Sequence, residues 1–245
     1  MKSYTRLHLP PLSQVSQTNS IRKIEDRIAQ ISLRNTSFFS TFGLELKASH
    51  LVAIDGQEGR RQILNRHISR PAFEPILFHF CDKLCAHEID IATMEGVASG
   101  AAARPIVRAV GEMRTSSSAD GHYTLYAPLK ERLRLTDCLN QLASETCYSP
   151  LTAALICYSM TIIAHPLVDG NGRLARALLF GTLRRARLID APIVPLGPAF
   201  YLHAGAVGPT MATLSQSGNW QVAVEGLASV ISTACDLADA VDRLI

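Results

Sequence analysis

His165-Pro166-Leu167-Val168-Asp169-Gly170-Asn171-Gly172-Arg173-Leu174-Ala175-Arg176 is the stretch on which the reading of this chain turns. It sets a histidine, a carboxylate, a Gly-Asn-Gly turn and two arginines side by side. Just upstream, Ser149-Pro150 marks a helix start. Serine suits the N-cap, and proline suits the first helical position because the N–H it lacks has no partner there anyway. From Leu151 to Ala164 the chain is nearly all apolar, as a buried helix is. Pro166 and Gly170 then stop that helix and make a tight loop. A second helix opens near Asn171 and runs through Leu178 and Leu179 to Arg184-Arg185. Two helices joined by a polar loop point to an all-α domain.

The loop carries its own chemistry. The first N–H groups of the second helix and its positive dipole end face the loop, which makes the Gly-Asn-Gly turn a cradle for an anion. Glycine at 170 and 172 lets backbone approach phosphate oxygens without a Cβ between them. Arg173 and Arg176 are three residues apart, so one helix face presents both to a phosphate tail. Asp169 is a hard oxygen ligand of the kind Mg²⁺ takes alongside phosphate oxygens. His165, just past the first helix, is placed to act as a general base toward an incoming hydroxyl.

This stretch resembles the signature of the Fic family, His-Pro-Phe-x-Asp/Glu-Gly-Asn-Gly-Arg-x-x-Arg, with Leu167 where phenylalanine is usual. The resemblance covers roughly residues 45 to 235 and is most specific over 149 to 188. It implies a protein adenylyltransferase, moving AMP from ATP to a Ser, Thr or Tyr hydroxyl of another protein and releasing pyrophosphate. It assigns the base to His165, Mg²⁺ or Mn²⁺ to Asp169, and phosphate contacts to Gly170, Asn171, Gly172 and Arg173. Arg176 takes the γ-phosphate or an inhibitory carboxylate. Leucine at 167 is smaller than phenylalanine, so the loop is expected to lose of the order of 1 kcal/mol of packing.

Two short β-prone runs precede the motif, Arg104–Arg114 and Tyr123–Tyr126. Thr115–Gly121 is read as their connection, because Asp120-Gly121 is a turn signal. Such a hairpin, about 104–127, resembles the flap on which family members dock the extended backbone of a protein substrate. The expected fold is therefore all-α with a small β-hairpin flap. Residues 1–44 read as an N-terminal arm and helical extension, and 45–245 as the Fic-like domain. Within the extension, Ser13–Ser20 has linker composition, and Ile21, Ile24, Ile28, Ile31 and Leu33 have the spacing of a helix packed on the main domain. Gly218-Asn219-Trp220 opens a last helix toward Leu244, with Trp220 a core residue at its start.

Family members often carry an inhibitory Ser/Thr-x-x-x-Glu-Gly/Asn segment. Here Leu51–Gly56 stands in a comparable place, with Asp55 for glutamate and leucine for Ser/Thr, a degenerate version whose carboxylate is one methylene short. Glu58, Glu95 and Glu225 precede glycines without the Ser/Thr, and Glu225 lies in the last helix, where ordinary surface charge is expected. Inhibition is then weak or supplied by a separate protein, and homo-oligomerisation is open.

Composition fits a globular cytoplasmic enzyme: 245 residues, 47% hydrophobic, net charge +3. So slight a charge gives no basis for nucleic-acid binding. The 151–164 run is shorter than the roughly 20 residues a membrane span needs. Met1–Arg34 lacks the apolar core of a leader, while a signal for delivery into a host cell would not be legible. Six cysteines show no disulfide framework. On a helix over 76–88, Cys81 and Cys85 face away from His79 and His87, which argues against one metal site. Transfer of UMP or phosphocholine on the same fold, or a non-catalytic interaction module, are the alternatives; the complete polar set of the motif favours a nucleoside triphosphate.

Overall fold

The apolar run after Ser149-Pro150 forms a 15-residue helix, Pro150–Ala164, and all but two of its residues are buried (Pro150 and Ile162 are half-buried). A helix buried on every side must satisfy its polar groups internally. Ser159 Oγ donates to the Leu155 carbonyl and Thr161 Oγ1 to that of Cys157, both at 2.8 Å. At its start the Ser149 hydroxyl accepts the Thr152 N–H at 3.3 Å, and the Leu151 N–H donates to Glu25 Oε1 at 2.8 Å. Pro150 has no N–H to satisfy, so the first turn is fully paired.

The computed structural model describes residues 7–15, 18–33, 89, 115–117, 123–126, 131–145, 147–167, 171–189 and 196–242. In chain order these form a 3₁₀ turn Leu12–Gln14, α1 (Asn19–Leu33), β1 (Thr115–Ser117), β2 (Tyr123–Leu125), α2 (Glu131–Ser144), α3 (Pro150–Ala164), α4 (Asn171–Arg185), α5 (Leu196–Leu202), α6 (Ala204–Ser217) and α7 (Trp220–Asp242). Helix α3 is the hub. It packs most extensively on α4 and also touches α1, α2, α6 and α7. Among the described residues every element but one strand pair is helical, the all-α class that was expected.

Helix α1 packs on α7 and α3, with Ile21, Ile24, Ile28 and Ile31 all buried. Arg27 Nη2 bridges Asp236 Oδ1 at 2.8 Å and Asp239 Oδ2 at 2.7 Å on α7. The hydrogen bond to Asp239, ahead of that to Asp236, raises the guanidinium above its ordinary value against a smaller opposing effect of burial. The stretch before α1 departs from the linker reading. Leu7 and Val15 are buried in the core, and the Tyr148 hydroxyl donates to the Pro10 carbonyl. Leu7, Pro10 and Val15, all buried, anchor a segment whose polar composition alone suggested an arm. On α2, Asn140 clamps Ile89, accepting its N–H and donating to its carbonyl, each at 3.0 Å.

Gly218, at φ 68°, ends α6, and Asn219 Oδ1 accepts the Val222 N–H at 3.2 Å to start α7. Trp220 is buried at that start, as expected. Where α6 and α7 cross, a Cβ on Gly226 would meet Thr210 Oγ1 at 2.9 Å, so this glycine serves helix packing. Its neighbour Glu225 is exposed and accepts from Gln221 Nε2 at 2.6 Å, ordinary surface charge.

The strand pair corrects one boundary. Thr115, Ser116 and Ser117 pair antiparallel with Leu125, Thr124 and Tyr123, so the strand lies where the connection was expected. Hairpin connections are short, and pairing with Tyr123–Leu125 draws the first strand up to the turn. Arg104–Arg114 lies outside the described residues. No helix among the described residues is long and apolar enough to cross a membrane.

Candidate active site

The α3–α4 pair places His165 at the end of one helix and the first N–H groups of the other across a short loop. His165 caps α3 with its own N–H on the Thr161 carbonyl at 2.9 Å, and its backbone is left-handed at φ 42°, ψ 54°. Histidine enters that region more readily than most residues, yet left-handed backbone still costs an L-residue about 1 kcal/mol. The side chain is thereby turned out of the α3 ladder and meets Tyr126, the residue directly after β2. The two ring centroids are 3.9 Å apart with planes tilted by 38°.

The loop is closed by Asn171. Its Oδ1 accepts the Leu167 N–H at 2.9 Å and its Nδ2 donates to the Leu167 carbonyl at 2.7 Å. The backbone partners fix which amide atom is which, because an N–H must meet the oxygen and a carbonyl the NH₂. Asn171 is buried, and so is Leu167. The Asn171 side chain is thus occupied in shaping the loop. Leu167 anchors the loop within the core.

Gly172 and Arg176 sit one turn apart on α4. A Cβ built on Gly172 would lie 3.6 Å from Arg176 Nη1, an ordinary contact. The fold therefore has room for a side chain at 172. Gly172→Ala is expected to stabilise the protein by about 0.4–1 kcal/mol in thermal or urea unfolding while weakening ATP binding at least severalfold in calorimetry. Unchanged ATP affinity in the alanine variant would show that no bound ligand depends on a glycine at 172.

Behind Arg176, Tyr158 on α3 stacks on Phe200 of α5 with centroids 4.6 Å apart. Burial pushes the Tyr158 phenol up to about 12, and the positive charge of Arg176 partly opposes this. Burial likewise raises Cys157 on α3 to about 12, with a hydrogen bond from Thr182 opposing it, so this buried thiol is no nucleophile at neutral pH.

Of the residues read from the motif, His165, Asn171, Gly172 and Arg176 are brought to one end of the α3–α4 pair. The backbone of Arg173 lies in the first turn of α4. Asp169, Gly170 and the degenerate inhibitory Asp55 lie outside the described residues, as do Glu58 and Glu95. Among the described residues no group of three or more His, Cys, Asp or Glu gathers as a metal centre. Sequence reasoning missed Tyr126, whose pairing with His165 has no local signature.

No family model and no curated protein matches the chain. Solved structures do. A Fic family protein from Desulfovibrio desulfuricans is 16% identical, with 97% of this chain and 78% of that one covered and a TM-score of 0.64. A Fic domain containing signaling protein from Bacteroides thetaiotaomicron is 17% identical, covering 92% and 97%, with a TM-score of 0.52. A segment of Fic-1 from C. elegans is 19% identical, covering 92% and 73%, with a TM-score of 0.53. The three share an architecture with this chain at identities where only architecture speaks, and the fold of this protein is the Fic fold.

Proposed function

We propose that this protein is an adenylyltransferase, transferring AMP from Mg·ATP to a Ser, Thr or Tyr hydroxyl of a protein substrate. The observation that carries the reading is the Asn171-clamped loop. It holds His165 close to the N-terminal turn of α4, and this reading takes the first as a base and the second as an anion cradle. In this reading His165 takes the proton of the acceptor hydroxyl. The oxygen forms a bond to the α-phosphorus, the bond from that phosphorus to the bridging oxygen breaks, and pyrophosphate leaves. The N–H groups of Gly172 and Arg173 and the guanidinium of Arg176 balance charge on the phosphates. The open Cβ position at Gly172 beside Arg176 suits a polyphosphate lying against backbone. Mg²⁺ or Mn²⁺, held by Asp169 with phosphate oxygens, would supply further charge neutralisation. The β1–β2 hairpin is the docking edge for the substrate backbone in this scheme.

The test is incubation of the purified protein and a cell lysate with α-labelled ATP or α-labelled UTP. Label from ATP on protein, abolished by EDTA, is the expected result. Asp169→Ala should need markedly more metal for the same rate, because it removes the motif's carboxylate. Preferential labelling from UTP would point to UMP transfer, and no label from either to a non-catalytic module.

A further inference from the structure

We infer that Tyr126 is a positioning residue for His165, its ring fixing the plane of the imidazole for proton transfer; this rests on the general-base role proposed above. The torsion that turns an imidazole about its Cβ–Cγ bond is broad and soft. His165 also stands beyond the last turn of α3, in left-handed backbone. The aromatic contact at 3.9 Å between centroids supplies a restraint from outside the helix. It is a firm one, because Tyr126 continues directly from β2, and β2 packs on α6 of the core. The geometry also suits the chemistry. The tyrosine covers a face of the imidazole, while both ring nitrogens carry their proton or lone pair in the ring plane, at the edge. Contact on the face therefore sets orientation without standing in the path of the proton.

An aromatic pair of this kind is worth about 0.5–1.5 kcal/mol, which corresponds to roughly two- to tenfold in rate if the orientation is lost at the transition state. The experiment compares Tyr126→Leu with Tyr126→Phe in the full chain, by transfer kinetics and by NMR of isotope-labelled histidine, with His165→Asn identifying the His165 ring signals. In the wild type these signals should carry an upfield ring-current shift. Tyr126→Leu is expected to abolish that shift and lower kcat within the stated range while leaving KM for ATP unchanged. Tyr126→Phe should restore both the shift and most of kcat. Ring signals unmoved in Tyr126→Leu, full activity in that variant, or Tyr126→Phe as impaired as the leucine variant would each overturn the inference. A wild-type protein that labels nothing overturns the adenylyltransferase reading instead, and the ring-current arm then decides the contact on its own.

Discussion

Replacing His165 with alanine is expected to lower AMP transfer by roughly 10²–10⁴-fold, the usual cost of a lost general base. Binding of ATP should stay close to wild type, because the phosphates are assigned to α4 and the arginines. Alanine has a second effect, since position 165 is left-handed at φ 42°. His165→Asn separates the two. Asparagine accepts left-handed backbone well and has no basic nitrogen, so it should keep more thermal stability than His165→Ala and show the same loss of transfer. Labelled-product kinetics and calorimetric ATP binding on both variants check this. Near wild-type transfer by His165→Asn would end the assignment.

The second large effect is expected at Asn171. Alanine there removes the two hydrogen bonds that the Asn171 amide makes to the buried backbone of Leu167. A net loss of about 0.5–1.5 kcal/mol for each should lower unfolding free energy by roughly 1–3 kcal/mol, with transfer reduced more than tenfold as the loop loosens. Asn171→Asp gives a sharper test at constant shape. One carboxylate oxygen can still accept the Leu167 N–H, while the other faces the Leu167 carbonyl, which Nδ2 approaches to 2.7 Å in the wild type. Burial and that carbonyl raise the carboxyl above its unfolded value, so the protonated form, a donor, is the one that fits. Stability of this variant should be recovered at low pH and fall as pH rises through the raised value. Wild-type stability of Asn171→Ala at neutral pH would show that the loop does not depend on the clamp.

Where the sequence was read correctly, the signal was local. Ser149-Pro150 before an apolar run, the isoleucine spacing from Ile21 to Ile31, and Gly218-Asn219 before Trp220 each combine a stop or start signal with periodicity, and the helices stand there. The helix–loop–helix bearing the motif was legible for the same reason. What escaped was decided at long range. The burial of Leu7 and Val15, the tilted ring contact of Tyr126 with His165 and the capping of α3 by Glu25 depend on which elements meet, and periodicity does not state that. Asn171 escaped for another reason. An asparagine beside glycines in an anion cradle fits a phosphate donor and a loop clamp equally well until its partners are seen.

The contact of Glu25 with the Leu151 N–H has a consequence for how this protein can vary. Helix α3 is about 22 Å long at 1.5 Å per residue, so Glu25 grips one tip of a rod whose other tip carries His165. The first helix, which looks like an accessory in the sequence, is the footing of the rod that ends at His165. A lineage that inserted or deleted a residue in α1 would shift that footing, and compensation would have to appear within α3 or at Arg27 and its two carboxylates. Engineers trimming the chain for brevity face the same constraint.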